Sequence, residues 1–199
     1  KEQENAIKLS FFTMPLHPPE RNYTETLKED REAFILADQL GFEEAFVGEH
    51  VTDRAETVTS CLMFLASLAT ETKNIKLGSG TVNLPLSHPV LVAAQVAMID
   101  NLLEGRFLFG ISPGGLISDA EAIGILGADR NEMFVEGIDQ VLALWREDPP
   151  YNLTGKYWNI TTEKTLIEEI GQGAILRPYQ APPPPIVVTV VAPFSKGIT

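Results

Sequence analysis

The sequence is poor in cysteine, in basic residues and in long apolar runs. Its single cysteine, Cys61, excludes an internal disulfide framework and indicates a reducing compartment. The 15 Lys and Arg residues stand against 27 Asp and Glu, and the formal charge of −12 argues against nucleic acid or an anionic membrane as a partner. No run approaches the ~20 apolar residues of a membrane span, and no signal peptide is recognised. These absences predict a cytoplasmic protein.

Short apolar runs alternate with segments of helical spacing. Strands are predicted at 8–12, 45–48, 75–82, 107–111 and 186–191, helices at about 24–40, 60–71, 89–104 and 129–147, and a small hairpin at 151–160. Strands that alternate with helices imply a parallel sheet, either doubly wound or closed into a β/α barrel. A barrel typically takes roughly 250 residues, so the 199 residues correspond to about its first five strands. Residues 1–199 are predicted to form one domain.

Titratable and polar side chains follow the predicted strands, where β/α barrels build their active sites. His50, with Glu49 beside it, follows the second strand and is a candidate general acid or base; a structural histidine is the alternative. Asn83 follows the third strand, whose small residues allow a flat ligand to lie near the backbone. A plain barrel strand that ends in an Asn turn explains the same residues. The run Gly78-Ser79-Gly80 lacks the third glycine of a dinucleotide fingerprint.

The remaining candidates lie in predicted loops. Ser195 and Lys196 follow the fifth strand, where exposed amides, a hydroxyl and a cation form an anion site; an ordinary helix N-cap is the alternative. His17 is a candidate wall of a substrate pocket, and a solvated loop histidine is the alternative. His88 is interpreted as structural and Cys61 as a buried apolar side chain. No spacing of His, Cys and carboxylates resembles a metal site.

Residues 110–114 read GISPG and match the G-x-S-x-G nucleophile elbow of serine hydrolases. That interpretation fails because the triad order requires a histidine after Ser112, and all three histidines precede it. Pro113 also has no N–H to donate to an oxyanion, and it restricts the backbone of Ser112. Ser112 is therefore predicted to line a ligand site at the end of the fourth strand.

Several runs together resemble the bacterial luciferase-like flavin monooxygenases, in particular the limonene and alkanal monooxygenases. The resemblance rests on Phe46-Val47-Gly48-Glu49-His50, on residues 77–90 (LGSGTVNLPLSHPV), on residues 94–100 (AQVAMID), on Gly105-Arg106-Phe107 and on residues 184–188 (PPIVV). It extends from Lys8 to Thr199.

The resemblance implies a TIM (β/α)8 barrel that binds reduced FMN, often supplied by a separate flavin reductase, and forms a homo-oligomer. In this family, O2 adds to the flavin C4a to give a peroxide, which oxygenates a small organic substrate. Some relatives use the deazaflavin F420 instead and move hydride. FMN is preferred here because residues 81–85 (TVNLP) resemble the oxygenase branch. A shortened relative that binds flavin without known oxygenation supplies the non-enzyme alternative.

Carried over by position, the resemblance gives each candidate a role. His50 matches the histidine thought to act near the flavin peroxide, Asn83 a residue beside the isoalloxazine, and Ser112 a residue that faces the flavin. Ser195 and Lys196 fall in the region of the phosphate site. Substrate-pocket residues are predicted at Met14, His17 and Glu49, and apolar walls that exclude water at Phe12, Met14, Leu84 and Val190.

Overall fold

The computed structural model describes residues 7–189, so the predictions at Val190, Ser195 and Lys196 lie outside the described residues. The strands are β1 Ser10–Thr13, β2 Glu44–Val47, β3 Lys76–Ser79, β4 Val82–Asn83, β5 Phe107–Ser112, β6 Asn152–Thr154, β7 Asn159–Thr161 and β8 Ile186–Val188. The α-helices are α1 Tyr23–Gln39, α2 Cys61–Ala66, α3 Pro89–Leu102, α4 Ile117–Ile123 and α5 Arg130–Arg146. Strands β6 and β7 form the predicted antiparallel hairpin.

The main sheet is parallel, and its strands neighbour one another in the order in which the chain reaches them. β1 pairs with β2, β2 with β3, β3 with β5, and β5 with β8. A doubly wound sheet reverses its strand order at a switch point, whereas a β/α barrel does not. The order therefore favours the barrel topology, and within residues 7–189 the sheet stays open between β1 and β8.

β3 and β4 are two halves of the predicted third barrel strand, separated at the cis peptide bond Gly80–Thr81. Before the break, Gly78 pairs with Leu108 of β5; after it, Val82 pairs with Ile111. The broken strand thus contains one residue more than β5 over the same length, which is the definition of a β-bulge. The prediction of one continuous strand over 75–82 is wrong.

Capping side chains fix where four of the helices begin. Asn22, Ser60, His88 and Asp129 accept hydrogen bonds from backbone N–H groups in the first turns of α1, α2, α3 and α5. The structural interpretation of His88 is confirmed. Helix α2 is shorter than predicted. Sequence patterns do not predict helix α4, because the residue before it, Leu116, has no side chain that can accept a capping hydrogen bond. No helix in the described residues is long and apolar enough to cross a bilayer.

The hydrophobic core lies between the sheet and the helices. It includes Phe109 of β5, whose ring contacts the edge of Trp145 of α5 at 5.9 Å between centroids. Cys61 is fully buried, as predicted, and burial raises the pKa of its thiol well above the ordinary range, with further help from the nearby Glu49. Leu84 is 2 % exposed and packs under α5 beside Gly137, so it belongs to the core. The role of Leu84 as an apolar wall that excludes water stays a prediction.

β3 and β5 approach closely where Ser79 faces Gly110. The Ser79 hydroxyl donates to the carbonyl oxygen of Gly110 at 2.8 Å and accepts from its N–H at 2.9 Å. A Cβ atom on Gly110 would overlap the carbonyl oxygen of Ser79. Only glycine fits at this contact, which fixes the spacing of the two central strands just below the candidate site.

Candidate functional site

The carboxyl ends of the parallel strands meet at one edge of the sheet, as predicted. The end of β1 pairs with the end of β2, and Asn83 of β4 pairs with Ser112 of β5. Met14 lies at the same edge, because its sulfur fills the space where a Cβ of Gly48 would stand. His50 follows Gly48 by two residues. The edge therefore brings Met14, His50, Asn83 and Ser112 to one side of the molecule.

Helix α4 supplies a partner for His50 that the sequence did not indicate. The Nδ1 atom of His50 lies 3.1 Å from Oδ2 of Asp119, and both side chains are largely buried. The other oxygen of Asp119 accepts hydrogen bonds from the N–H of Val51 and from the N–H and hydroxyl of Thr52. An ionised carboxylate only accepts, so the proton of this contact resides on Nδ1. Asp119 therefore fixes both the tautomer of His50 and the loop that follows it.

The same hydrogen bonds set the ionisation of Asp119. Burial by itself would raise the pKa of its carboxyl, but the hydrogen bonds from Thr52, His50 and Val51 outweigh burial and lower the pKa below its ordinary value. The carboxylate is therefore charged at neutral pH and is held in place by four donors.

Replacing Asp119 with asparagine is expected to lower the free energy of unfolding by about 2 kcal/mol at neutral pH, because hydrogen bonds to a charged group each contribute about 1.5–3 kcal/mol. Since the pKa is lowered on folding, the charged carboxylate stabilises the fold above the ordinary value of 3.8. This contribution is lost as the pH falls through the lower pKa of the folded state. Urea denaturation of both proteins should therefore give a difference that shrinks below about pH 4.

The control for this measurement is Asp139→Asn on the exposed face of α5, where the carboxylate makes no hydrogen bond to a described residue. It is expected to change the free energy of unfolding by less than about 0.5 kcal/mol. A difference between wild type and Asp119→Asn that stays constant down to about pH 3 would contradict the role given to the charge of Asp119.

A chain of hydrogen bonds connects β4 to β5 beside His50. The Thr81 hydroxyl donates to Ser112 Oγ at 2.7 Å, and Ser112 Oγ donates to Asn83 Oδ1 at 2.8 Å. Asn83 Nδ2 in turn donates to the carbonyl oxygen of Glu49 at 3.3 Å. The N–H of Gly114 also donates to Ser112 Oγ. The serine oxygen is thus fully used and has no histidine partner among the described residues, in agreement with the rejection of the nucleophile elbow.

The Glu49 carboxylate binds two backbone N–H groups. Its Oε2 accepts from Cys61 at the start of α2, and its Oε1 accepts from Asn83 at 3.1 Å. These contacts hold the end of β2, the start of α2 and the end of β4 together. The role of Glu49 in a substrate pocket stays a prediction, and the structure gives this residue a supporting function.

His17 and Arg130 occupy the margins of the edge. Both carboxylate oxygens of Asp30 lie within 3.0 Å of His17 Nε2, and this contact ties the loop after β1 to α1. The alternative of a solvated loop histidine is wrong, and the pocket role of His17 stays a prediction. Arg130, at the start of α5, donates to the carbonyl oxygen of Gly114 at 2.8 Å and has no carboxylate partner among the described residues. Sequence analysis missed this cation because nothing in the pattern connects residue 130 with the end of β5.

Comparison with known proteins agrees with the topology. The family model of the luciferase-like monooxygenases matches residues 7–198. The chain belongs to the luciferase-like monooxygenase family. The resemblance found in the sequence is thereby confirmed.

Relatives within the luciferase-like monooxygenase family match two thirds of the chain or more. A 4-hydroxyprotoasukamycin monooxygenase of Streptomyces nodosus subsp. asukaensis is 33% identical over 193 residues, which are 96% of this chain and 50% of that protein. A limonene 1,2-monooxygenase of Rhodococcus erythropolis is 38% identical over 135 residues, which are 68% of this chain and 35% of that protein. The chain thus spans half or less of the length of these relatives.

A solved structure supports the same fold. The oxygenating constituent of 3,6-diketocamphane monooxygenase from Pseudomonas putida, in complex with FMN, matches this chain with a TM-score of 0.87 and 26% identity. The match covers 96% of this chain and 53% of that protein. The predicted fold class, an α/β fold of the luciferase-like barrel type that does not close within the described residues, is confirmed.

Proposed function

We propose that the protein is a flavin-dependent monooxygenase that binds reduced FMN and uses O2 to oxygenate a small organic substrate. The observation that carries the proposal is the match of nearly the whole chain to an oxygenating protein that holds FMN. The arrangement of His50, Asn83 and Ser112 at the same strand edge supports it. The proposal includes a separate reductase that supplies the reduced flavin, and a homo-oligomeric assembly.

The side chains at the edge fit a planar, anionic cofactor. Phe12 is 57 % exposed, and its ring packs against the backbone of Gly80, where it offers an apolar surface to a flat ring system. Among residues 7–189, the buried Asn83 amide makes one of the two hydrogen bonds that its NH2 group can donate, which leaves one donor for a ligand. Arg130 supplies a cation for a phosphate. Ser195 and Lys196 keep the phosphate role that the sequence predicts for them.

The residues of this chain perform three tasks in the proposed reaction. Reduced FMN, when bound, supplies the electrons with which O2 is activated for transfer to the substrate. His50 holds a proton at a fixed position beside the ligand, because Asp119 orients its ring. Asn83 positions the ligand through its free N–H, and the hydrogen bond from Ser112 fixes which way the amide points. Phe12 and Met14 place apolar surface at the edge and limit the access of water.

Cofactor binding tests the proposal directly. We expect the full-length protein, titrated anaerobically and followed by fluorescence or calorimetry, to bind reduced FMN at least about tenfold more tightly than reduced F420, a difference of about 1.4 kcal/mol. A preference for F420 would indicate hydride transfer without oxygen. Tight binding of FMN without oxygen-dependent product would favour the non-catalytic flavin-binding alternative, and binding of neither would exclude all three.

A matched pair of asparagine variants locates the site in this titration. Asn83→Ala is expected to weaken the binding of reduced FMN about tenfold, the usual effect of losing one well-placed hydrogen bond. Asn74→Ala is the control because Asn74 is exposed at the opposite end of β3, and its side chain makes no hydrogen bond to a described residue. Equal affinities of the two variants would remove Asn83 from the cofactor site.

A further inference from the structure

We propose that a cavity outside the candidate flavin site binds a small organic monocarboxylate with a compact apolar body. The cavity has a volume of about 360 Å³ and lies between the loop after β1 and the loop after β2. Its walls include Pro18, Pro19 and Arg21 from the first loop, and Val51 and Arg54 from the second. A volume of this size is at the lower end of the range for small-molecule sites. None of the four side chains that share the strand edge lines the cavity, so the cavity is a separate site.

Arg54 supplies the charge that selects an anion. Its Nη2 atom donates to the carbonyl oxygen of Pro19 at 3.2 Å, and this contact holds the guanidinium at the cavity wall. No carboxylate of residues 7–189 forms an ion pair with Arg54, although the whole chain has a formal charge of −12. A guanidinium carries five N–H donors in a planar fork that matches the two oxygens of a carboxylate. Arg54 therefore has donors left for a carboxylate ligand.

The other charges at the cavity favour an anion with a single negative charge. Arg21 is paired with Glu29, since its Nη2 lies 2.6 Å from Oε1 of that residue. The acidic residue of the wall is Asp53, whose Oδ1 accepts the N–H of Ala55 at 2.8 Å. Helix α1 begins at Tyr23 on the same wall, and the positive end of its dipole favours a negative charge there. One free guanidinium matches a carboxylate better than a phosphate dianion.

The rest of the wall fits an apolar body. Pro18, Pro19 and Val51 contribute apolar surface, and Val51 is 45 % exposed. The ring of Tyr23 is half exposed, and its hydroxyl makes no hydrogen bond to a described residue. Proline and valine side chains are stiff, so covering them with a ligand costs little side-chain entropy. Removal of this surface from water adds affinity for an acid that carries an aromatic or branched aliphatic group.

The cavity is formed before a ligand arrives, because backbone contacts join its two loops. The N–H of His17 donates to the carbonyl oxygen of Ala55 at 2.8 Å, and Leu16 forms an isolated antiparallel bridge with Glu56. The second loop also borders the candidate site, where Oε2 of Glu56 lies 3.4 Å from Nε2 of His50. Since both loops are already fixed, binding does not require a loop to become ordered.

Titration of the 15N-labelled, full-length protein with benzoate tests the proposal, followed by 1H–15N correlation spectra at constant ionic strength and without flavin. We expect a dissociation constant of about 1 mM or below, with the largest shift changes at the backbone amides of residues 20–24 and 51–59. Benzamide keeps the ring without the charge, and acetate keeps the charge without the ring. Each should bind at least about tenfold more weakly than benzoate, and so should inorganic phosphate.

Arg54→Gln is expected to weaken the binding of benzoate at least about tenfold. Arg146→Gln is the matched control, because Arg146 lies at the end of α5, is 72 % exposed and pairs with its neighbour Glu147. It should bind benzoate as wild type does.

Equal affinities of wild type and Arg54→Gln, equal affinities for benzoate and benzamide, or shift changes confined to other parts of the chain would overturn the proposal. Phosphate or acetate that binds as tightly as benzoate would overturn the assigned ligand class. If Arg54→Gln fails to fold, the four compounds on wild type still decide. The experiment uses neither flavin nor O2, so its outcome is independent of whether the proposed function holds.

Discussion

Replacement of His50 by alanine is expected to reduce the product formed per O2 consumed by about 100-fold, the lower range of what a positioned acid or base contributes. The affinity for reduced FMN should change less than about threefold, because the replacement leaves the Asn83 amide and the exposed ring of Phe12 in place at the strand edge. Oxygen would still be consumed, but it would leave as hydrogen peroxide instead of entering the substrate.

The measurement compares O2 uptake, hydrogen peroxide release and product for wild type and His50→Ala at saturating reduced FMN. His88→Ala is the control, since His88 caps α3 through a hydrogen bond from the N–H of Val90 and lies outside the candidate site. His88→Ala should keep the ratio of product to O2 within about twofold of wild type. If His50→Ala couples oxygen use to product as well as wild type does, His50 has no part in the reaction.

Replacement of Gly110 by alanine is expected to lower the free energy of unfolding by about 3 kcal/mol or more. The new Cβ would overlap the carbonyl oxygen of Ser79, which is part of the neighbouring strand and not the end of a flexible side chain. Relief of the overlap requires β3 and β5 to separate, and this would break both hydrogen bonds between Ser79 and Gly110. Overpacking that cannot relax without moving a strand lies at the upper end of single-residue effects.

Chemical denaturation of Gly110→Ala and Gly115→Ala, followed by circular dichroism, tests this expectation. Gly115 lies three residues after the end of the same strand and does not adopt a positive φ, and no atom of the described residues lies within 4 Å of the position its Cβ would take. Gly115→Ala should therefore remain within about 0.5 kcal/mol of wild type. If the two variants have similar stabilities, the spacing of β3 and β5 is not set by Gly110.

Most of the strands could be predicted because buried parallel strands are short continuous apolar runs, as in Phe107–Ser112. The order of the strands could not be predicted from these runs, since strands that alternate with helices fit a doubly wound sheet as well as a barrel, and only the family resemblance implied the barrel. The strand-end rule of β/α barrels predicts His50, Asn83 and Ser112 on one edge of the sheet. What these side chains touch could not be predicted. Asp119 is 69 residues from His50 in sequence and lies on a short helix without a capping signal.

The carboxylates around His50 could not be predicted, for a similar physical reason. Nothing in the sequence distinguishes Glu56 and Asp119 from the other acidic residues, of which the chain has 27 in all. Their significance depends on burial and on loop closure, which local sequence does not encode. The cation of Arg130 was missed in the same way, because only the path of the backbone brings it to Gly114.

The bulge between β3 and β4 affects how the sequence of any relative must be aligned with this chain. Successive residues of a strand point to opposite faces, so one additional residue inverts the inward and outward positions of everything after it. With the additional residue, Asn83 shares a face with Ser112; without it, Asn83 would be shifted along β5 and turned to the other side. An alignment gap of one residue between positions 78 and 82 therefore exchanges ligand-facing and helix-facing residues, even where the flanking letters are identical.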